Sequence, residues 1–149
     1  MTALHLASEA DFDTLLPLVR AFHEEFGIDL DDAGRQAALD PILSGSPLGV
    51  AYLIGPARAP IGYIVITFGW SIEFGGMDGF VDELFIRPGV RNRGIAGEVL
   101  SALPRALAGA GLRALHLEVR RDDTRAKRLY AKQKFAARDD YMLMTRRLS

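Results

Sequence analysis

The alternation of apolar and polar positions over Thr2–Ala7 predicts a short opening strand. Ser8 followed by Asp11 suits a capping box with Asp in the acidic place. Phe12, Leu15, Leu16, Val19, Phe22 and Phe26 then recur at helical spacing, predicting a helix to about Glu25. Pro17 is expected to kink or delay it, and Gly27 to end it. Asp31 to Leu43 reads as a weaker second helix, stopped by Ser44-Gly45-Ser46-Pro47. Three strands follow: Gly49–Ile54, Ile61–Trp70 and Met77–Arg87. They are joined by the turn Gly55–Pro60 and the hairpin loop Glu73-Phe74-Gly75-Gly76, which makes them antiparallel.

Pro88-Gly89 closes the fourth strand. Ile95, Val99, Leu100, Leu103 and Leu107 mark a helix kinked near Pro104 and stopped by Gly109 and Gly111. Leu112–Val119 alternates as a strand, with His116 and Glu118 on the face opposite Leu115, Leu117 and Val119. Strand, helix and strand of these lengths form a crossover unit, so the fourth and fifth strands are expected to be parallel. Asp122 or Asp123 can cap a last helix containing Ala126, Leu129 and Tyr130, and Asp140–Leu148 reads as a final strand. The class is α+β, a mixed and mostly antiparallel sheet with helices, in one domain over residues 1–149.

Composition narrows the chemistry. The chain lacks cysteine, which excludes disulfides, thiolate metal sites and a thiol nucleophile. His5, His23 and His116 lie far apart without metal-ligand spacing, so no metal is expected. No apolar run is long enough for a membrane span, and Met1 to Asp13 lacks the pattern of a signal peptide, which makes a cytoplasmic protein the default. The net charge of −1 hides an asymmetry: residues 1–89 carry 13 carboxylates and 4 basic side chains, residues 90–149 carry 6 and 14. That division fits a cationic ligand near the first half and a polyanionic one near the second. The run Arg120, Arg121, Arg125, Lys127, Arg128 lacks interleaved aromatics, which argues against nucleic acid as a partner.

The most informative stretch is Phe85-Ile86-Arg87-Pro88-Gly89-Val90-Arg91-Asn92-Arg93-Gly94-Ile95-Ala96-Gly97. A strand and a tight turn lead to Gly94 and small residues opening a helix. Such an N-terminus offers unpaired N–H groups and the positive end of the helix dipole to an anion. The spacing is neither that of a Walker loop nor Gly-x-Gly-x-x-Gly.

Arg91-Asn92-Arg93-Gly94-Ile95-Ala96, preceded by Leu84-Phe85-Ile86-Arg87-Pro88, resembles the Arg/Gln-x-x-Gly-x-Gly/Ala signature of the GNAT acetyltransferase superfamily. The segment from Leu117 to Phe135 is similar to that family's Val-x-x-x-Asn-x-x-Ala-x-x-Leu-Tyr-x-x-x-Gly-Phe, with Asp123 and Lys134 in place of its Asn and Gly. The resemblance implies a sheet of about six to seven strands with about four helices, splayed between the fourth and fifth strands. It implies N-acetyl transfer from acetyl-CoA, as co-substrate, to an amine acceptor by direct attack in a ternary complex. A non-catalytic acyl-CoA-binding or sensing module is the alternative. A homodimer is compatible with either.

Site residues follow from the same resemblance. Arg91, Asn92, Arg93, Gly94, Ile95, Ala96 and Gly97 would hold the pyrophosphate, with Leu84, Phe85 and Ile86 along the pantetheine arm and Asp123 nearby. Tyr130 would meet the leaving thiolate. One of the adjacent carboxylates Asp82 and Glu83 would face the acceptor pocket; the sequence does not choose between them, and Glu83 is taken first. Their side chains point to opposite faces unless a bulge intervenes. Glu24, Trp70, Glu73 and Phe74 lie in regions that line the family's acceptor side, where a cationic amine would pack and pair.

Overall fold

A computed structural model describes residues 2–149. Strand β1 (Leu4–Leu6) leads through a 3-10 turn at Glu9–Asp11 into α1 (Phe12–Phe26) and α2 (Asp32–Leu43). Strands β2 (Gly49–Ile54), β3 (Gly62–Ser71) and β4 (Gly76–Ile86) follow, then α3 (Ile95–Gly109), β5 (Ala114–His116) and α4 (Thr124–Lys132). The Asp11 carboxylate accepts the Ser8 N–H at 2.9 Å, so the box expected there forms from its acidic side. Pro17 lies inside α1, which runs on to Gly27, where a left-handed φ of 66° ends it.

The sheet has the order β1-β2-β3-β4-β5. The first three pairings are antiparallel and β4–β5 is parallel. The β4–β5 ladder spans only Asp78–Phe80 against Ala114–His116, while β4 runs on to Ile86. Beyond Phe80, β4 has no ladder partner on this side. Alternation along the strands sorts their side chains to two faces. Ala51, Leu53, Tyr63, Val65 and Phe85 form one core with Leu15, Leu18 and Val19 of α1 and Leu39 and Leu43 of α2. Full burial of each such aliphatic chain contributes about 1.5–3 kcal/mol. Ile54, Ile64, Ile66 and Ile86 alternate with them and are also buried, as are Val99, Leu100 and Leu103 of α3. Gly62 lets two strands approach: a Cβ there would lie 2.1 Å from the Phe85 carbonyl oxygen.

Two expectations need correction. Among the described residues the sheet has five strands, not six to seven, and Asp140–Leu148 forms no strand. Tyr141-Met142-Leu143-Met144 are consecutive apolar residues without two-residue alternation, and a strand exists only through a paired neighbour. The fifth strand is likewise cut from Leu112–Val119 to Ala114–His116, the three residues that pair with β4. The chain divides into two compact units, the first ending at Glu118 and the second spanning Val119–Ser149. Within the second, Asp123 caps α4 by accepting the Ala126 N–H at 3.0 Å. Lys134 takes a φ of 70°, the left-handed turn that glycine would adopt more cheaply, so the turn forms despite its side chain.

Candidate active site

The β4 strand carries both candidate carboxylates, and a bulge decides what each does. Val65 of β3 is paired with Glu83, and Ile66 with Val81, so Asp82 is an extra residue without a partner on β3. Glu83 therefore shares a face with Val65, toward α1 and α2, while Val81 shares the opposite face with Ile66. A regular strand would have put Val81 and Glu83 on one face.

Glu83 is held from two sides. The Tyr63 hydroxyl donates to its Oε1 at 2.7 Å, and His23 Nε2 lies 2.7 Å from its Oε2. Behind the imidazole, Arg35 Nε donates to His23 Nδ1 at 3.1 Å, and Arg35 Nη1 to Asp32 Oδ1 at 2.7 Å. Asp32 also receives Arg20 at 2.7 Å. Arginine can only donate, so Nδ1 of His23 is an acceptor; this assigns the ring proton to Nε2, which donates to Glu83. His23 and Arg35 are buried, and Tyr63 is fully so. Burial, then the charge of Glu83 and its hydrogen bond, then Asp82, raise the Tyr63 phenol far above its ordinary range, which keeps it a donor. Hydrogen bonds from Arg20 and Arg35 pull the Asp32 carboxyl down to about 2.

Asp82 is different. Its side chain keeps access to solvent and carries no hydrogen bond among the described residues. Partial loss of hydration, followed by the charges of Glu83 and Glu118, raises its proton affinity above that of an ordinary aspartate.

Around Gly94, where an anion cradle is expected, the backbone is open. Gly94 caps α3 with a left-handed φ of 78°, and the space where a Cβ would stand is open. The amides of Ile95, Ala96 and Gly97 open a helix of 15 residues, where no carbonyl four residues back is available to them within the helix. Asn92, itself left-handed, and Arg93 are exposed. Arg91 is engaged elsewhere. Its guanidinium pairs with both oxygens of Glu25, at 2.6 and 3.1 Å, donates to the Ile86 carbonyl at 2.7 Å and lies over the Phe85 ring. It ties the loop to the end of α1. Leu84 is half-buried, Phe85 belongs to the core under α1 and α2, and Ile86 is also buried.

The other candidates are dispersed. Glu24 is exposed beside His23 on the last turn of α1. Trp70 is 76% exposed on the β3–β4 hairpin. It stands five residues along β3 from Val65, about 16 Å at the usual rise. Glu73 and Phe74 share that hairpin; Phe74 lies 5.3 Å from the His116 ring, and His116 is 3.1 Å from Asp78. In the second unit, Tyr130 packs edge-on to Phe135, and burial, then the charge of Asp123, raise its phenol above the ordinary value.

Sequence reasoning left out four members of the Glu83 cluster: His23, Arg35, Tyr63 and Asp32. One signal was present, because His23 falls four residues after Val19 on the buried stripe of α1. A polar residue in that stripe needs a buried partner. No helix of the described residues is long and apolar enough to cross a membrane. Among those residues no group of three or more ligands could hold a metal ion.

The profile of the Acetyltransferase (GNAT) family matches residues 16–135. An integron cassette protein from the mobile metagenome of Cole Harbour Salt Marsh is 30% identical, with a TM-score of 0.84 over 98% of this chain and 90% of that one. A ribosomal-protein-alanine N-acetyltransferase from Brucella melitensis biovar Abortus 2308 superposes with a TM-score of 0.76 at 17% identity over 100% of both chains. AAC(6')-Iy, in complex with the bisubstrate analogue CoA-S-monomethyl-acetylneamine, does so with 0.78 at 16% identity over 99% of both. At these last two identities the likeness is one of fold. No curated protein matches the chain by sequence.

Proposed function

The chain belongs to the GNAT acetyltransferase family, and from that premise we propose that it moves an acetyl group from acetyl-CoA to a primary amine by direct attack in a ternary complex. The observation that carries this reading is the β4 bulge, which offers one free carboxylate and one clamped carboxylate side by side on a strand that leads into the α3 cradle. The residues present suit the cofactor's diphosphate: open space at Gly94, the amides of Ile95, Ala96 and Gly97, and the exposed Arg93. Acetyl-CoA supplies the activated thioester carbonyl.

An alkylamine of ordinary pKa near 10.4 is neutral in only about 1 part in 2,500 at pH 7, a cost of roughly 4.6 kcal/mol. The paired negative charges of Asp82 and Glu83 attract the ammonium, and one carboxylate takes its proton, directly or through water. Asp82 suits this better than Glu83. It has no competing hydrogen bond and a raised proton affinity, whereas Glu83 already accepts from Tyr63 and His23. The C–N bond then forms, the acylated nitrogen loses its second proton to water, the C–S bond breaks and the thiolate leaves, to be protonated from solvent. Tyr130 is the donor that meets it; with its phenol raised, it acts better as a hydrogen-bond donor to the thiolate than as a full acid. Asp123 orders α4, the helix that carries Tyr130, through its cap. On the acceptor side Glu24 is the nearest further carboxylate in sequence to the clamp. Trp70, Glu73 and Phe74, out on the hairpin, suit only a long polycationic acceptor.

The test is thiol release from acetyl-CoA with a panel of an alkyl monoamine, a polyamine, an aminoglycoside and a peptide with a free N-terminus. Amine-dependent release is the expected result. A protein that binds acetyl-CoA yet releases no thiol with any member would overturn the reading.

A further inference from the structure

Behind one of the two carboxylates lies a continuous chain of polar groups. Asp32, Arg35, His23, Glu83 and Tyr63 are linked in series by contacts of 2.7 to 3.1 Å, and the central members are buried. Buried polar side chains are costly unless every partner is in place, so such a series fixes geometry. We infer that Arg35 and His23 are positioning residues for acetyl transfer: Arg35 sets the histidine tautomer, and His23 with Tyr63 fixes Glu83 beside Asp82. This rests on the acetyl-transfer reading above.

The argument is one of donor and acceptor inventory. A carboxylate offers two oxygens, and here each receives one neutral donor from a different element, the Tyr63 hydroxyl from β3 and the His23 N–H from α1. Imidazole can present either nitrogen as donor. Were Nδ1 protonated, it would face the Arg35 Nε–H, donor against donor, and Nε2 would turn a lone pair on the Glu83 oxygen. The Arg35 contact removes that option. His23 thus cannot swivel between roles, and Glu83 cannot rotate toward an incoming ammonium. Its negative charge stays where it raises the proton affinity of Asp82. Arg35 itself is anchored by Asp32, so the start of α2 is tied through α1 to the β4 bulge.

Two measurements test this. In the unaltered protein, tautomer-sensitive NMR of labelled imidazole, at a pH where an ordinary histidine is neutral, should show His23 protonated on Nε2 and bare on Nδ1. A dominant Nδ1–H form overturns the inference, and this readout needs neither substrate nor activity. For the second, His23→Leu removes both contacts, whereas His23→Gln keeps one donor and one acceptor. With an accepted amine, His23→Leu should lower kcat by roughly 10–100-fold while the KM for acetyl-CoA holds, and His23→Gln should recover most of that loss. Equal kcat in all three proteins overturns the positioning role. Should the unaltered protein acetylate no amine, the acetyl-transfer reading fails instead, and the tautomer decides the clamp by itself.

Discussion

The hydroxyl of Tyr63 is the cleanest place to weigh the clamp. Tyr63→Phe removes one oxygen and leaves the ring packed 6.2 Å from Phe85 and 6.3 Å from Phe22, so the apolar core is nearly unchanged. What is lost is a 2.7 Å hydrogen bond to a carboxylate that is itself mostly buried. Bonds to charged groups contribute about 1.5–3 kcal/mol, and the stranded Glu83 oxygen makes the upper half of that range the expectation. Because burial and Glu83 hold the phenol far above its ordinary range, no ionisation complicates the comparison near neutral pH. With a urea slope of about 2 kcal/mol per molar, a loss of about 2 kcal/mol moves the midpoint down by about 1 M. Glu83→Leu, which removes both acceptor oxygens, alone and combined with Tyr63→Phe, completes a double-mutant cycle. Residues in one hydrogen-bonded network should show a coupling of about 1–2 kcal/mol. A single-mutant loss below about 0.5 kcal/mol, or additivity of the two changes within that margin, would refute the bond and the clamp built on it.

Asp82→Asn should have opposite effects on stability and activity. Folding raises the Asp82 pKa, so its ionisation costs stability in a window that opens as pH rises through the ordinary carboxylate range and is complete above the folded value. The Asn variant should therefore melt higher at neutral pH, match the unaltered protein in acid and lose acetyl transfer; a lower melting point at neutral pH would contradict this. Asp32 has the reverse sign: its folded pKa of about 2 means its contribution is present above about pH 4 and lost as pH falls toward 2. Melting curves of Asp32→Asn should show less acid sensitivity in that interval than the unaltered protein, and equal sensitivity would remove the role. Gly94→Glu places bulk and negative charge at the mouth of α3 on a left-handed residue, and should abolish thermal protection by CoA in a protein that still folds; normal protection would move the cradle elsewhere. Tyr130→Phe should lower kcat by roughly 10–1,000-fold with little change in the KM for acetyl-CoA, and unchanged kcat where chemistry limits the rate would take the hydroxyl out of the reaction.

Local pattern carried much of this protein. The strand at Gly49–Ile54 is bounded as its apolar run predicts, and α1, α2 and α3 stand where the helical spacing puts them. Those features are encoded within a few residues of themselves, by periodicity, caps and glycine stops. So is the α3 N-terminus, since Gly94 and the small residues after it need nothing distant to form it. The length of β5 and the fate of Asp140–Leu148 were not legible that way, because a strand lasts only as long as its neighbour. Nor was the bulge that sets Asp82 apart from Glu83. Two adjacent carboxylates look alike in sequence, and it is pairing with Val65 and Ile66, about 17 residues earlier, that ejects Asp82 from the ladder. The pairing of Arg91 with Glu25, 66 positions away, was likewise invisible in sequence, because it exists only where α1 meets the loop after β4. The clamp required more still. His23 and Glu83 are separated by 60 positions, Tyr63 and Glu83 by 20, and Arg35 reaches His23 only because α2 folds back on α1. Hydrogen-bond partners at such separations are chosen by where the elements pack, so that part of the site belongs to the tertiary structure alone.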